Sequence, residues 1–338
     1  MYVKNAKLFS LLLLFFILLA ANPTYLSHVH ADLVITVTTD KQLYGLITPG
    51  EAVHIIGNLA LNDLPVPDGL VSLQVNTRIG ALIYRTFNTG TTYNWTRPIE
   101  ITDAYIGNDI GTPLASAKRG STVWIWIWYK NNLETPVHTA IAFTIYTLSK
   151  IPLFAFVPQT YDVSPDGPWF TAYQWQVPAN AELGTATIYA SAFSDFPANE
   201  GVPYCPEKSS TFTIQSATSS TTQQSSQPIH VAYESGTFNT SFYISSKGGR
   251  LGNYTIYVNS FYLGVQGSSS KRFEVMLLGD IFTDGVVDVS DLVLMVTAVP
   301  STPDSPNWNP KAELTGDGIV DVSDQVVLIN NIGNYGSY

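Results

Sequence analysis

The sequence predicts a mainly β protein, built of tandem or split β-sandwiches and followed by a small α-helical module. Charged residues make up only 12% of the chain, and residues that favour strands, such as Tyr, Thr, Val, Ile and Trp, are frequent. Segments rich in these residues alternate with short turns of Gly, Pro and Asn, which is typical of a sandwich. Residues 279–338 break this pattern, because one acidic motif occurs there twice, each time before an apolar run.

Residues 1–31 have the composition of a secretory signal. Lys4 and Lys7 precede an apolar core at 11–21, which is too short to span a bilayer comfortably. Small residues up to Ala31 offer a cleavage site. We therefore expect a secreted chain that is extracellular or held at the cell surface, with no membrane insertion after cleavage. An uncleaved N-terminal anchor is the alternative.

Charge and residue types exclude several function classes. The formal net charge of −10 argues against nucleic acid or an anionic membrane surface as a partner. After residue 31 the chain has His54, His138 and His230 only, and none has the spacing of a metal or catalytic site. We therefore expect no enzyme activity. Cys205 is the only cysteine, so no disulfide can form within the chain, and we expect a packed thiol.

The β region divides into units of unequal length. Residues 32–97 and 98–215 form two of them, the polar run 216–227 predicts a linker, and residues 228–277 form a third. The first and third are short, because one such sandwich needs about 100 residues. Either these two are halves of one sandwich with 98–215 inserted between them, or each adds strands to the central unit. The split domain is the preferred interpretation.

Two stretches resemble known surface domains. The run 39–75 is similar to the opening strands of macroglobulin-like and related immunoglobulin-like domains, and 118–132 resembles the second strand of the CARDB domain. These resemblances imply immunoglobulin-like sandwiches and carry no site.

Three tryptophans form the most unusual feature of the β region. Trp124, Trp126 and Trp128 alternate with Val, Ile and Tyr, so in a strand they share the face opposite to the predicted core. They form either a flat carbohydrate-binding platform for a polysaccharide or a surface covered by another domain or by cross-strand neighbours. The second interpretation is favoured.

The acidic motif occupies residues 280–291 (loop 1) and 313–324 (loop 2), 33 residues apart. Each copy has carboxylates at places one, five, nine and twelve, glycine at place six and a backbone carbonyl at place seven, which is the ligand pattern of an EF-hand-like calcium loop. We predict two calcium ions. The expected ligands are Asp280, Asp284, Val286 (carbonyl), Asp288 and Asp291 in loop 1, and Glu313, Thr315, Asp317, Ile319 (carbonyl), Asp321 and Asp324 in loop 2.

Each loop is followed by an apolar run, at 292–296 and 326–329, which predicts two short helices that pack together. Solvated acidic turns without metal are the alternative, but duplication in register favours a cation. Place three is weak, because Phe282 offers no side-chain oxygen and Thr315 only a hydroxyl. We expect dissociation constants of about 10⁻⁴–10⁻³ M.

Two such loops with exiting helices resemble a dockerin, a calcium module that docks a secreted protein onto a cohesin. The connecting stretch 306–312 is also similar to that of archaeal dockerin-like modules. The resemblance implies a near-symmetric partner-binding face at Val289, Ser290, Val322 and Ser323. We therefore expect a non-catalytic surface, scaffold or adhesion protein that docks to a cohesin-like partner. The alternative is a carbohydrate-binding or glycoside-hydrolase component of a polysaccharide-degrading assembly.

Overall fold

The computed structural model describes residues 32–46, 51–90, 97–156, 159–217, 235–245 and 247–337. The predicted signal at 1–31 and most of the predicted linker at 216–227 lie outside these residues. Strands dominate the described part, in agreement with the mainly β prediction, and it contains two α-helices near its end. No helix among the described residues has the length and apolarity needed to cross a bilayer.

The first sandwich is assembled from two distant parts of the chain. Its strands are β1 (Leu33–Thr39), β2 (Leu43–Leu46), β3 (Glu51–Leu61), β4 (Leu64–Pro65), β5 (Leu70–Thr77), β6 (Gly80–Asn88), β16 (Thr237–Ile244), β17 (Lys247–Arg250), β18 (Gly252–Tyr262) and β19 (Val265–Leu277). One sheet has the order β1-β3-β16, with β4 on β3, and the other has the order β2-β19-β18-β5-β6.

Strands from the two parts pair directly in both sheets. Val53 on β3 lies opposite Phe242 on β16, and Leu73 on β5 lies opposite Val258 on β18. All four side chains are buried in one core. The segments before residue 90 and after residue 235 therefore form one split sandwich, with the second sandwich inserted between them.

The second sandwich is continuous in sequence. Its elements are β7 (Ile99–Gly107), β8 (Ser116–Lys118), β9 (Thr122–Asn131), β10 (Val137–Thr147), β11 (Pro152–Phe156), β12 (Thr160–Val163), β13 (Trp169–Gln176), β14 (Gly184–Phe193), a 3-10 helix (Pro197–Asn199) and β15 (Lys208–Gln215). A sheet β13-β9-β7 faces a sheet β11-β10-β14-β15-β8, with β12 on β10. The buried Cys205 thiol belongs to this core, and burial raises its pKa to about 11, as expected of a packed thiol.

The sandwiches meet along β6, which packs on β10, β11 and β14. Arg85 binds Glu207 there through two hydrogen bonds, Nε to Oε2 at 2.7 Å and Nη2 to Oε1 at 2.6 Å. The Arg85 guanidinium also lies 3.7 Å from the centre of the Tyr189 ring. The Tyr84 amide donates to the Thr144 hydroxyl at 2.7 Å. An ion pair whose side chains are only 13% and 17% exposed, together with specific polar contacts, thus fixes the junction, since an unpaired charge in this position would be costly.

The C-terminal module begins directly after β19. It contains α1 (Val289–Ala298), α2 (Val322–Asn331) and a last strand, β20 (Tyr335–Ser337), which pairs in parallel with β17. The apolar residues at its centre include Val287, Met295 and Leu328, and they continue the core of the first sandwich. The module is therefore packed on the sandwich rather than hanging from a linker.

Candidate calcium loops of the C-terminal module

Loops 1 and 2 adopt the turn that their sequence predicts. Gly285 and Gly318 at place six have φ of +87° and +82°, in the left-handed region that glycine enters without a steric penalty. Place four is also left-handed in both loops, with Thr283 at +65° and Gly316 at +81°. Loop 1 thus forces a β-branched residue into a conformation that loop 2 gives to glycine.

The carboxylate at place one accepts hydrogen bonds from the amides of its own turn. Asp280 uses both oxygens, accepting from the Asp284 amide at 3.1 Å and from the Gly285 amide at 3.0 Å. Glu313 instead uses Oε1 for the amides of Gly316 and Asp317, at 2.6 and 3.2 Å. The longer side chain therefore binds the second loop differently.

The carboxylates at place twelve are fully buried. Asp291 accepts from the amides of Phe282 and Asp288, both at 2.9 Å. Asp324 accepts from three amides, those of Leu314, Thr315 and Asp321, at 2.7 to 3.0 Å. Burial alone would raise the pKa of Asp324, but these N–H donors outweigh it and hold the pKa below its ordinary value. The buried group is therefore held as a carboxylate.

The carboxylates at place nine cap the N-termini of the two helices. Asp288 accepts from the Ser290 amide at 2.7 Å, and Asp321 accepts from the Ser323 amide at 2.6 Å. The place-nine amide in turn donates to the place-twelve carboxylate in each loop, which completes a capping box. The orientation of each helix is thus tied to the carboxylates of its own loop.

The chemistry of the donor set fits a hard divalent cation, since the acidic residues supply oxygen ligands and the turn at place six folds the loop back on itself. Within the described ranges, however, no three His, Cys, Asp or Glu side chains come together as a metal-binding group. Asp284 and Asp317 are exposed and accept from the place-seven amides at 3.0 and 2.8 Å. The convergence of these residues on an ion stays a prediction.

The 33-residue repeat extends to the strand-like contacts at place eight. Val320 exchanges two hydrogen bonds with Ser301, which follows α1, at 2.8 and 3.2 Å. Val287 donates to the carbonyl of Asn334, which follows α2, at 3.0 Å. Each loop therefore pairs with the segment that leaves the other helix, as expected for a module with an internal two-fold relation.

Each helix exposes an apolar stripe with spacing i, i+4, i+7. The stripes consist of Val289, Val293 and Val296 on α1, and of Val322, Val326 and Ile329 on α2. Ser290 and Ser323 are exposed beside them. Of the four residues predicted to bind a partner, Val289 and Val322 thus begin the two stripes and the two serines flank them. The other four apolar residues were missed, although the helical spacing and the 33-residue repeat point to them.

The three tryptophans lie on the outer face of β9, as the alternation predicts. Phe170 from the neighbouring β13 lies 5.1 Å from Trp126 and 5.0 Å from Trp128. The indole N–H of Trp126 donates to the Asn108 carbonyl and that of Trp128 donates to the Tyr105 hydroxyl, both at 3.0 Å. Cross-strand aromatic packing and a local loop therefore cover this face in part, and Phe170 stays 51% exposed.

Comparisons with known proteins place this chain in no established family. No family model and no curated protein matches it. Solved structures match it partially and at low identity. The alkylpurine DNA glycosylase AlkC of Pseudomonas fluorescens, bound to DNA with an abasic site analog, is 12% identical with a TM-score of 0.25; the match covers 36% of this chain and 31% of that one.

Two smaller domains match a similar share of the chain. The C-terminal domain of Wzt is 14% identical over 39% of this chain and 88% of that chain, with a TM-score of 0.29. The CARDB domain of a Pyrococcus furiosus protein, solved with di-metal ions, is 16% identical over 38% of this chain and 100% of that chain, with a TM-score of 0.23. The paired sheets described above fit an immunoglobulin-like β-sandwich.

Proposed function

We propose that this chain is an exported, non-catalytic scaffold or adhesion protein whose C-terminal module binds two calcium ions and docks onto a cohesin-like partner. One observation carries the proposal: the 33-residue repeat recurs in the acidic loops, the capping boxes, the place-eight contacts and the exposed stripes. The two sandwiches, joined by the Arg85–Glu207 ion pair, then act as a rigid spacer that carries the docking module.

Calcium would be held by the loop residues whose positions follow the repeat. A bound divalent ion supplies positive charge to carboxylates that otherwise repel one another. The chain itself supplies the buried Asp291 and Asp324, fixed by backbone amides, and the turns at Gly285 and Gly318. Because Asp288 and Asp321 cap the helices, order in the loops sets the direction in which the stripes face.

The stripes suit a protein partner with an apolar surface. Their six residues are Val or Ile and are exposed, and neither helix contains Lys or Arg. Exposed apolar side chains arranged on one element mark interaction surfaces more often than scattered ones do. We assign docking to both stripes.

Calorimetric titration of the full chain tests the calcium part. We expect binding of two ions with dissociation constants of about 10⁻⁴–10⁻³ M, and loss of this heat in the double variant Asp284→Asn/Asp317→Asn. Asp304→Asn, which removes an exposed carboxylate outside the loops, serves as the matched control. No heat from the unaltered chain at about 10 mM calcium would refute calcium binding.

Capture by recombinant cohesin domains, with and without chelator, tests the docking part. Val293→Asp and Val326→Asp place a charge in each stripe, and together they should abolish calcium-dependent capture. Leu148→Asp is the control, since Leu148 is exposed on the second sandwich. Capture that survives the double variant, or that ignores chelator, contradicts the assignment.

Sugar binding on the outer face of β9 is the second candidate function. The observation in its favour is the side chain of Phe170, which is 51% exposed and whose ring centre lies 5.0 Å from that of Trp128. Phe170→Ser and Trp128→Ser should then weaken retention of the chain in polysaccharide-containing gels. Unchanged retention of both variants removes this candidate and leaves the aromatic cluster a purely structural role.

A further inference from the structure

After α2 the chain returns to the first sandwich. Residues 333–337, here called the tail, follow α2 and include β20. Arg250 on β17 lies beside Ser337 on β20, and the Leu251 amide donates to the Ser337 carbonyl at 2.7 Å. Gly336 lies so close to Leu251 that an added Cβ would approach its side chain to 2.6 Å. The tail is therefore seated on the sandwich by both backbone bonds and close packing.

The opposite side of the tail is bound to loop 1. The Gly336 amide donates to the Gly285 carbonyl at 3.0 Å, and the Gly333 amide donates to the Val287 carbonyl at 2.9 Å. Val286 forms a β-bridge with Tyr335. Gly285 and Val286 hold places six and seven, so the tail contacts the turn that a cation would fix.

Among the described residues, no hydrogen bond gives loop 2 an equivalent connection. Its place-eight residue, Val320, pairs with Ser301, and within the described residues all hydrogen bonds of loop 2 stay inside the module. The segment after α1 leads on to loop 2, whereas the segment after α2 reaches β17. The tail therefore does not follow the internal two-fold relation of the module.

We propose that loop 1, when it binds a cation, clamps the module onto the first sandwich through the tail, and that loop 2 does not. The inference rests on the proposed calcium binding and adds a regulatory role for one of the two sites. Fixing the turn at Gly285 and Val286 fixes the acceptors and bridge that hold the tail, and the tail in turn holds β17. Release of the cation loosens the module, so the angle between a docked partner and the sandwiches depends on loop 1.

The size of the effect follows from linkage. A ligand that binds only the clamped form lowers the open population by the factor 1 + [L]/Kd. With a Kd of about 10⁻⁴–10⁻³ M, about 10 mM calcium lowers it about ten- to a hundredfold. Exchange of the amides that hold the tail slows by the same factor where opening and closing are fast compared with exchange from the open form.

Hydrogen exchange of the full chain, with about 10 mM calcium or with chelator, tests this clamp. The reporters are the amides of Leu251 and Gly336, and the matched variants are Asp284→Asn in loop 1 and Asp317→Asn in loop 2. We expect calcium to slow exchange at both amides in the unaltered chain and in Asp317→Asn. In Asp284→Asn the protection should be lost.

A second variant keeps the clamp testable if Asp284→Asn misfolds. Gly336→Val sets a side chain against Leu251 and should remove the calcium dependence of Leu251 exchange while calorimetry still shows binding at loop 2. Equal exchange with and without calcium, or equal loss in both loop variants, overturns the clamp and leaves the proposed function standing if calorimetric heat persists. Absence of that heat from the unaltered chain overturns both.

Discussion

Loop 1 and loop 2 share seven of their twelve residues, yet they hold different positions in the molecule. Both bury a place-twelve aspartate, cap a helix with the place-nine aspartate and turn at a left-handed glycine. Loop 1, however, joins the sandwich through the tail, whereas the hydrogen bonds of loop 2 among the described residues stay inside the module. Local sequence thus sets the bonds inside each loop, while the path of the chain around it sets what the loop can influence.

Removal of the buried carboxylates should give the largest effect and the clearest difference between the loops. Asp324→Ala leaves three amides without their acceptor and Asp291→Ala leaves two. We expect losses of about 3 and about 2 kcal/mol in the stability of the following helix, since each partly buried amide left without an acceptor is costly. Native-state hydrogen exchange of α1 and α2 in chelator measures both.

Asp304→Ala is the control for this pair, and it should leave exchange unchanged because Asp304 is exposed outside the loops. Equal effects of the two buried substitutions would contradict the idea that the number of amide donors sets the cost.

Swapping the place-one residues between the two loops should have a smaller effect, which concerns calcium affinity. Glu313 binds its turn through one oxygen and Asp280 through two. We expect Glu313→Asp to raise the calcium affinity of loop 2 about three- to tenfold and Asp280→Glu to lower that of loop 1 by a similar factor, because ligand placement tunes such sites. Calorimetry on each variant gives the two constants, and a change of the same sign in both would be inconsistent with this account.

The smallest effect concerns the left-handed place four. Thr283→Gly relieves a β-branched residue at φ +65°, and Gly316→Thr imposes the same strain on loop 2. We expect the first to stabilise loop 1 by up to about 1 kcal/mol and the second to destabilise loop 2 by about as much. Exchange rates of the loop amides report both changes. The Thr283 hydroxyl also accepts from Lys311, so Lys311→Ala is measured beside them.

Features that repeat or alternate in the sequence could be predicted from it. The period of two placed the tryptophans outside and the Val and Ile residues of β9 inside, and the acidic repeat located both turns. The sequence left open how 32–97 and 228–277 combine, because the pairing of β3 with β16 joins segments almost 200 residues apart and no local pattern encodes that register. The split sandwich emerges only from the packed core.

Other contacts carried no local signal at all. Arg85 and Glu207 are single charges in unrelated segments, and their pairing depends on how two complete sandwiches meet. Strand β20 reads Tyr-Gly-Ser, which lacks the alternation of a strand, so its parallel pairing with β17 depends on geometry that the module provides. Phe170 covers the tryptophans because β13 is the neighbour of β9, which the sequence of β9 does not state.

The split first sandwich also fixes an order of events during synthesis. All strands of the second sandwich have been made by residue 215, so that unit can close while the ribosome is still adding β16 to β19. Until those strands emerge, β5 has no partner on the side that β18 later fills and β3 lacks β16. Nascent β1 to β6 therefore stay incompletely paired while the second sandwich is already folded. Strands β10 and β14 of that sandwich can already pack against β6.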